Sequence, residues 1–166
     1  MKKFTVAGAG LAGTEAAWQI AQAGYPVTLV EMKPQKFSPA HKSEYFAELV
    51  CSNSLKASRL ESAAGLLKEE MARLGSLTVP VARNCAVAAG GALAVDRDVF
   101  SKTITEKINS HPNITVEHRV FDKIAPGDDE ILIIATGPLT DGALSDEIKR
   151  LCGDCLSFYD AAAPIV

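Results

Sequence analysis

The sequence lacks the features that mark membrane, secreted and strongly charged proteins. Its 166 residues contain no uninterrupted apolar run of the roughly 20 residues that a bilayer-spanning helix needs. The opening Met1-Lys2-Lys3 leads directly into a predicted strand rather than into an apolar leader, so no signal peptide is expected. The net charge is only −3, so no overall field attracts the chain to nucleic acid or to a membrane surface. A globular, cytoplasmic protein is therefore expected.

Cysteine is scarce and unevenly spaced. The four cysteines, at Cys51, Cys85, Cys152 and Cys155, do not form the regular framework of a disulfide-stabilised domain, which favours a reducing compartment. The last two form a C-x-x-C pair, but a zinc site needs a second pair of ligands and none is suitably spaced. No metal site is predicted.

The first thirty-odd residues organise the rest of the chain as strand, glycine turn, helix and strand. A short apolar strand at 4–7 runs into a full G-x-G-x-x-G, and a helical apolar pattern then continues to Gly24. In such a turn the first glycine allows a tight bend and the second admits a pyrophosphate. The third lets the helix pack against the sheet. The predicted dinucleotide contacts in this turn are Gly8, Ala9, Gly10, Leu11, Ala12 and Gly13.

Two further positions support a dinucleotide site. Glu31 closes the second strand about twenty residues past the glycines, where an acid accepts hydrogen bonds from a ribose diol and repels a 2′-phosphate. That favours FAD or NAD over NADP. Thr136 and Gly137 follow the apolar run 131–135, which is typical of a central parallel strand buried on both faces. Ligands of open α/β sheets lie at the carboxyl ends of the strands, so both groups are expected in one crevice.

The segments between these two motifs carry weaker patterns. Residues 32–54 show no sustained period and are predicted to form a long inserted loop, with a short helical turn at 44–50. A helix is predicted from an N-cap at Ser58, with Glu61 completing a capping box and Gly75 ending the helix. Residues 77–82 are predicted to form a strand, and Asp96 is predicted to cap a later helix. The predicted helix at Ser58 carries an apolar stripe, called the 60–74 stripe below, formed by Leu60, Ala63, Ala64, Leu67, Met71 and Leu74.

Several longer sequence words resemble one enzyme family. They are residues 8–17 (GAGLAGTEAA), 39–42 (PAHK), 47–55 (AELVCSNSL), 65–71 (GLLKEEM), 90–97 (GGALAVDR) and 160–166 (DAAAPIV). Together they resemble the folate- and FAD-dependent tRNA (uracil-5-)-methyltransferases. The alanine-threonine-glycine turn at 135–137 is also similar to the second dinucleotide contact of two-dinucleotide-binding-domain flavoproteins, which favours FAD over NAD.

The resemblance implies a fold, a reaction and a set of partners. The fold would be the α/β, Rossmann-like FAD-binding fold of those flavoproteins, with residues 1–166 as the N-terminal part of the FAD-binding domain. The reaction would form 5-methyluridine in the T-loop of tRNA, with methylenetetrahydrofolate as carbon donor, reduced FAD as reductant and NAD(P)H as its source of electrons. The missing C-terminal portion would supply most of the tRNA surface, so this chain alone is expected to be inactive.

Cys51 is the candidate catalytic residue. The resemblance matches it to a functional cysteine of the family, and a thiolate that adds to uracil C6 makes C5 nucleophilic. On residue type alone, an inert buried cysteine is as good an interpretation. His41 and Lys42 are candidates for contacting flavin phosphate or RNA, with a solvated loop as the alternative.

Two other functions fit the residues. One is an FAD- or NAD-dependent oxidoreductase acting on a small substrate, with Cys51 as a redox thiol and Cys85 as its resolving partner. The other is a nucleotide-binding or interaction module without catalysis.

Overall fold

The computed structural model describes residues 2–153, which form two sheets and five helices. The strands are β1 (Lys3–Ala7), β2 (Val27–Glu31), β3 (Ser54–Ala57), β4 (Ala86–Val87), β5 (Ala92–Val95), β6 (Ile114–His118) and β7 (Glu130–Ile134). The helices are α1 (Leu11–Gln22), α2 (Ala63–Arg73), α3 (Thr78–Asn84), α4 (Arg97–Ser110) and α5 (Gly142–Cys152). Over residues 2–153 no helix is both long and apolar enough to cross a bilayer.

The larger sheet is parallel throughout and has the strand order β6-β2-β1-β7. β1 therefore lies between the strand that precedes the long loop and the strand that precedes Thr136. Phe4 pairs with Val27 on one side and with Ile131 on the other, so the carboxyl ends of all three strands meet at one edge. The smaller sheet is antiparallel, with the order β3-β5-β4.

A single apolar core joins the two sheets and the helices between them. α4 begins at Asp96, whose carboxylate accepts hydrogen bonds from the N–H groups of Asp98 and Val99, as the sequence predicts. Its large, fully buried side chains include residues of β1, β2, the long loop, β5 and α4: Val6, Leu29, Phe46, Val95, Phe100, Ile104 and Ile108.

Helix α2 differs from its prediction in both its start and its environment. Its N-cap is Ser62, whose hydroxyl accepts a hydrogen bond from the Gly65 N–H, whereas the Ser58 hydroxyl donates to the Gly91 carbonyl. Gly65 is the only residue of α2 that is fully buried. The 60–74 stripe was expected to face the core, but Leu67 is 56% and Leu74 is 77% exposed.

Residues 77–82 form the first part of α3, with Leu77 as its N-cap, rather than the predicted strand. The reason is that a distant carboxylate accepts hydrogen bonds from the N–H groups at the start of this helix. Glu15 of α1 accepts hydrogen bonds from the N–H groups of Leu77 and Thr78 and from the hydroxyls of Ser76 and Thr78. A helix N-terminus needs such acceptors, and these come from some sixty residues earlier in the chain. Local sequence therefore could not reveal α3.

Two more predictions are wrong. β7 was expected to be central and buried on both faces. Among the described residues, however, it is an edge strand with Ile131 and Ile134 each 37% exposed. Residues 44–50 form turns and bends instead of a helical turn. There, buried side chains and long-range hydrogen bonds set the backbone.

The single tryptophan of the sequence connects α1 to the end of α2. The Trp18 indole N–H donates a 3.2 Å hydrogen bond to the carbonyl of Gly75, and its ring meets that of His111 edge-on at 5.3 Å. Gly75 has a φ of +80° and follows α2 directly, as the sequence predicts. This hydrogen bond fixes the end of α2 against α1.

Replacing Glu15 with glutamine is expected to destabilise the chain by about 1–3 kcal/mol, because an amide cannot accept all four hydrogen bonds. Burial raises the pKa of Glu15, but hydrogen bonds from Gln19, Thr78 and Ser76 outweigh it, so the pKa is lowered below 4.5. The stability that the carboxylate contributes is present above the unfolded-state pKa and disappears as pH falls through the folded-state pKa. Urea unfolding at several pH values measures both effects.

The exposed variant Glu70→Gln is the matched control and is expected to change stability by less than about 0.5 kcal/mol. A Glu15→Gln chain as stable as wild type at neutral pH would contradict the proposed support of α3.

Candidate functional site

The glycine turn lies where β1, β2 and β7 end together. Gly8 has a φ of +97°, and its N–H donates to the Val30 carbonyl at 2.8 Å. A Cβ at Gly8 would lie 2.6 Å from the Ala135 carbonyl oxygen, and one at Gly13 would lie 1.7 Å from the Gly8 oxygen. Both glycines therefore allow backbone contacts that a larger residue would prevent, as the sequence predicts for the tight turn and the helix–strand contact.

The N-terminus of α1 is open at the second glycine. Gly10 is its N-cap with a φ of −73°, and no side chain caps the helix. A Cβ built on Gly10 meets no atom within 4 Å, and the first turn contains no acidic residue. Free N–H groups and the positive end of the helix dipole favour an anion here. The site therefore fits a diphosphate.

The carboxylate of Glu31 holds the glycine turn in place. Glu31 ends β2 and is only 5% exposed. One oxygen accepts the Ala9 N–H at 2.7 Å, and the other accepts the Lys33 N–H at 3.0 Å. Each oxygen keeps a further lone pair for another donor. The sequence predicts the position of Glu31 correctly but not this second role as an acceptor for the turn.

Thr136 and Gly137 lie beside the glycine turn, as expected from the strand order. The Ala135 N–H donates to the Ala7 carbonyl at 2.7 Å, which brings the end of β7 to the end of β1. The Thr136 hydroxyl is 2.6 Å from that of Thr140, and Gly137 has a φ of +79°. The structure therefore brings together all three predicted groups: the glycine turn, Glu31 and the segment 136–137.

Two charged residues that sequence reasoning missed organise the long loop. Lys33 is 4% exposed, and its ammonium donates to the carbonyls of Ser43 (3.0 Å) and Tyr45, with a Glu48 oxygen at 3.7 Å. Burial lowers the pKa of Lys33, and the charges of Glu31 and Glu48 offset part of that shift. A buried lysine among loop carbonyls explains how residues 33–48 keep one conformation without helices or strands.

The other end of this loop is attached to the glycine turn itself. The Ala47 N–H donates to the Ala9 carbonyl at 2.9 Å, and the Phe46 N–H donates to the Thr105 hydroxyl at 2.8 Å. Ala47 has a φ of +51°, which is uncommon for a residue with a side chain. Cys51 follows four residues later and is exposed. Cys51 is therefore not buried among the described residues.

The remaining candidate residues either do not suit anion binding or lie outside the residues that the structure describes. His41 is half-buried with its Nδ1 2.6 Å from the Ser38 hydroxyl, and burial and the Lys33 charge lower the pKa of His41. A neutral imidazole is a poor phosphate ligand. Cys85 and Cys152 are free thiols, and Cys155 lies outside the described residues. Within 2–153, no group of three or more His, Cys, Asp and Glu side chains is arranged for a metal ion.

Comparisons with known proteins support the resemblance. The family profile described as "Glucose inhibited division protein A" matches residues 3–166. The chain is 59% identical to the Enterococcus faecalis protein named methylenetetrahydrofolate–tRNA-(uracil-5-)-methyltransferase TrmFO, covering 99% of this chain and 38% of the relative. Proteins of the same name are 57% identical in Parasynechococcus marenigrum and 56% identical in Aquifex aeolicus, over 99% of this chain and 36% and 37% of those relatives. The chain thus spans little more than a third of these relatives.

A solved structure has the same fold. The structure of Aquifex aeolicus GidA in its form II crystal superposes with a TM-score of 0.71 at 13% identity, over 90% of this chain and 30% of that one. The predicted α/β, Rossmann-like fold class is therefore confirmed. The predicted resemblance to the tRNA (uracil-5-)-methyltransferases is also confirmed, because the similar proteins carry that name.

Glu31→Gln is expected to destabilise the chain by about 1–3 kcal/mol, because the amide leaves either Ala9 or Lys33 with an unpaired buried N–H. Glu31→Ala removes both acceptors and should cost more. Urea unfolding measures the difference, and Glu44→Gln on the exposed part of the loop serves as the control. Wild-type stability of both Glu31 variants would show that the turn does not depend on this carboxylate.

Proposed function

Since the chain belongs to the glucose inhibited division protein A family, we propose that it is the FAD-binding part of a tRNA methyltransferase. The whole enzyme would form 5-methyluridine in the T-loop, with methylenetetrahydrofolate as carbon donor and NAD(P)H as source of electrons. The names of the similar proteins support the substrates. The observation that carries the cofactor is the uncapped α1 N-terminus with open space at Gly10.

The residues of the crevice divide the binding of FAD among them. The N–H groups of the turn and of the first turn of α1 would hold the diphosphate, because no side chain competes for them. Glu31 would accept the adenosine ribose hydroxyls through lone pairs not used by Ala9 and Lys33. Thr136 and Gly137 would supply the second contact at the adjacent strand end. When bound and reduced, FAD would supply the electrons that turn a methylene carbon into a methyl group.

Cys51 would act on the uracil ring. Its thiolate would add to C6, and the electron pair would move to the O4 carbonyl to give an enolate nucleophilic at C5. C5 would then attack the methylene carbon of the donor, and loss of the C5 proton would release tetrahydrofolate and leave an exocyclic methylene group. Once that carbon is reduced to methyl with electrons from reduced FAD, the thiolate would leave C6 and the C5–C6 double bond would be restored. Exposure of Cys51 and attachment of the preceding Ala47 to the turn both support this role.

Gly10→Ala tests the diphosphate site without disturbing the fold. Gly10 has a negative φ and an added methyl group contacts nothing, so stability should stay within about 0.5 kcal/mol of wild type. The methyl group would occupy the space that the diphosphate needs. FAD binding by the whole protein, measured by flavin fluorescence titration, should weaken about 10- to 100-fold in Kd, equivalent to one or two lost hydrogen bonds.

Gly127→Ala is the control for this variant, because Gly127 also has open space and no positive φ. Equal FAD affinity in the Gly10 and Gly127 variants would remove the diphosphate assignment. Glu31→Ala is a less specific test of ribose binding, since it removes a support of the turn together with the ribose acceptor.

Cys51→Ser is expected to leave folding and FAD content of the whole protein unchanged, because Cys51 is exposed. Methyl transfer to tRNA should fall by orders of magnitude, since a hydroxyl is a far weaker nucleophile. Flavin content and methyl transfer are measured on the same preparation, with Cys85→Ser as control. Unchanged methylation at wild-type flavin content would exclude a catalytic Cys51. Equal loss in both variants would show that the effect is not specific to Cys51.

A further inference from the structure

The 60–74 stripe is an apolar surface without a partner among the described residues. Leu60 is 55%, Leu67 56% and Leu74 77% exposed, and the neighbouring Leu66 is 48% exposed. α2 packs against α3 and β3, and Gly65 is its one buried residue among those described. Apolar residues at helical spacing normally face a core, because burial removes their apolar surface from water.

A groove continues this surface across to α1. It has a volume of about 440 Å³ and exposes mainly apolar groups, from Leu11, Ala12 and Ala16 of α1, Leu55 of β3 and Met71 of α2, with Glu15, Gln19 and Thr78 completing the lining. Met71 lines the groove and is also a member of the 60–74 stripe. Leu67 and Leu74 lie about one turn away from it on the same face of α2. Stripe and groove are therefore one continuous apolar face.

We infer that this face is the docking site for the part of the whole protein that lies beyond this chain. The inference rests on the proposed function, in which the chain is one portion of a longer enzyme. The chain spans 36–38% of the relatives reported above, so most of their length lies outside the match. That length contains enough chain to cover a face of four leucines and a groove.

The composition of the face favours an intramolecular partner over RNA or a second copy. RNA binding depends on cations and on aromatic rings that stack on bases, whereas the 60–74 stripe consists of leucine, alanine and methionine. The few residues that dominate the binding energy between separate proteins are enriched in tryptophan, tyrosine and arginine, with leucine under-represented. A leucine-rich stripe beside small alanines instead resembles helix packing inside a domain.

Docking at this place would also support the cofactor site. Leu11 and Ala12 are the first two residues of α1, directly after Gly10, and both line the groove. A segment packed there would order the N-terminal turn of α1, whose N–H groups face the diphosphate. Groups that bind the same ordered state stabilise each other. The rest of the protein would therefore increase FAD affinity from outside the crevice.

Hydroxyl-radical labelling followed by mass spectrometry tests the inference directly. The 166-residue chain and the whole protein, expressed from its complete reading frame, are labelled side by side. Modification of Leu66, Leu67, Met71 and Leu74 should be several-fold lower in the whole protein. Val99 of α4, which is 49% exposed and lies off the stripe, should be modified equally in both. Equal labelling of the stripe in both proteins would overturn the inference, and so would protection that appears only with concentration-dependent dimerisation.

A pair of variants gives an independent measurement. Leu67→Gln with Leu74→Gln should leave the stability of the 166-residue chain unchanged, because both side chains are exposed there, but should destabilise the whole protein and weaken its FAD binding at least tenfold. Val99→Gln is the control and should change neither. Loss of stability in the 166-residue chain would place the stripe in its own core and contradict the inference. Methyl transfer by the wild-type whole protein is assayed separately. Protection without methyl transfer would reject the proposed function alone, whereas methyl transfer without protection would reject the docking site alone.

Discussion

The carboxylate of Glu31 accepts one hydrogen bond from the glycine turn and one from the first residues of the long loop. Both contacts arise because β2 ends beside β1, so the parallel pairing of these two strands places the acceptor. Lys33, which begins the loop, then uses its buried ammonium to hold Ser43 and Tyr45. The loop returns to the same turn through Ala47. The segment that leads to Cys51 is thus held by several contacts around the glycine turn, among which the Glu31 carboxylate joins the turn to the start of the loop.

Buried charge in this chain determines conformation more than it adds stability. Glu15 accepts hydrogen bonds from the distant N–H groups of Leu77 and Thr78, and Glu31 accepts one from the distant Ala9 N–H. Lys33 bonds mainly to carbonyl groups, with Glu48 as its ionic neighbour. Removing such groups from water costs free energy that their hydrogen bonds only offset. What they provide is a unique backbone path for segments with little regular secondary structure.

Sequence reasoning succeeded where the controlling contacts are local or follow from strand order. The glycine turn, the Asp96 cap, Gly75 and the meeting of Gly8 with residues 135–137 are of this kind. It failed for α3, whose first N–H groups find their acceptor on α1, and for α2, where two serines offered competing caps. β7 and the 60–74 stripe were predicted to be buried because their residues are apolar. Neither surface is covered by residues 2–153. Lys33 and Glu48 were missed because nothing in a loop sequence reveals which charge lies inside.

Trp18, whose indole N–H donates a hydrogen bond to the Gly75 carbonyl, is an intrinsic fluorescence probe in this protein. With one tryptophan in the sequence, tryptophan emission comes from a single location, at the junction of α1 and the end of α2. Its intensity and wavelength depend on that hydrogen bond and on the nearby imidazole of His111. Intrinsic fluorescence therefore records whether these two helices stay joined, and local fraying of α2 becomes visible as a spectroscopic event distinct from the melting of the parallel sheet.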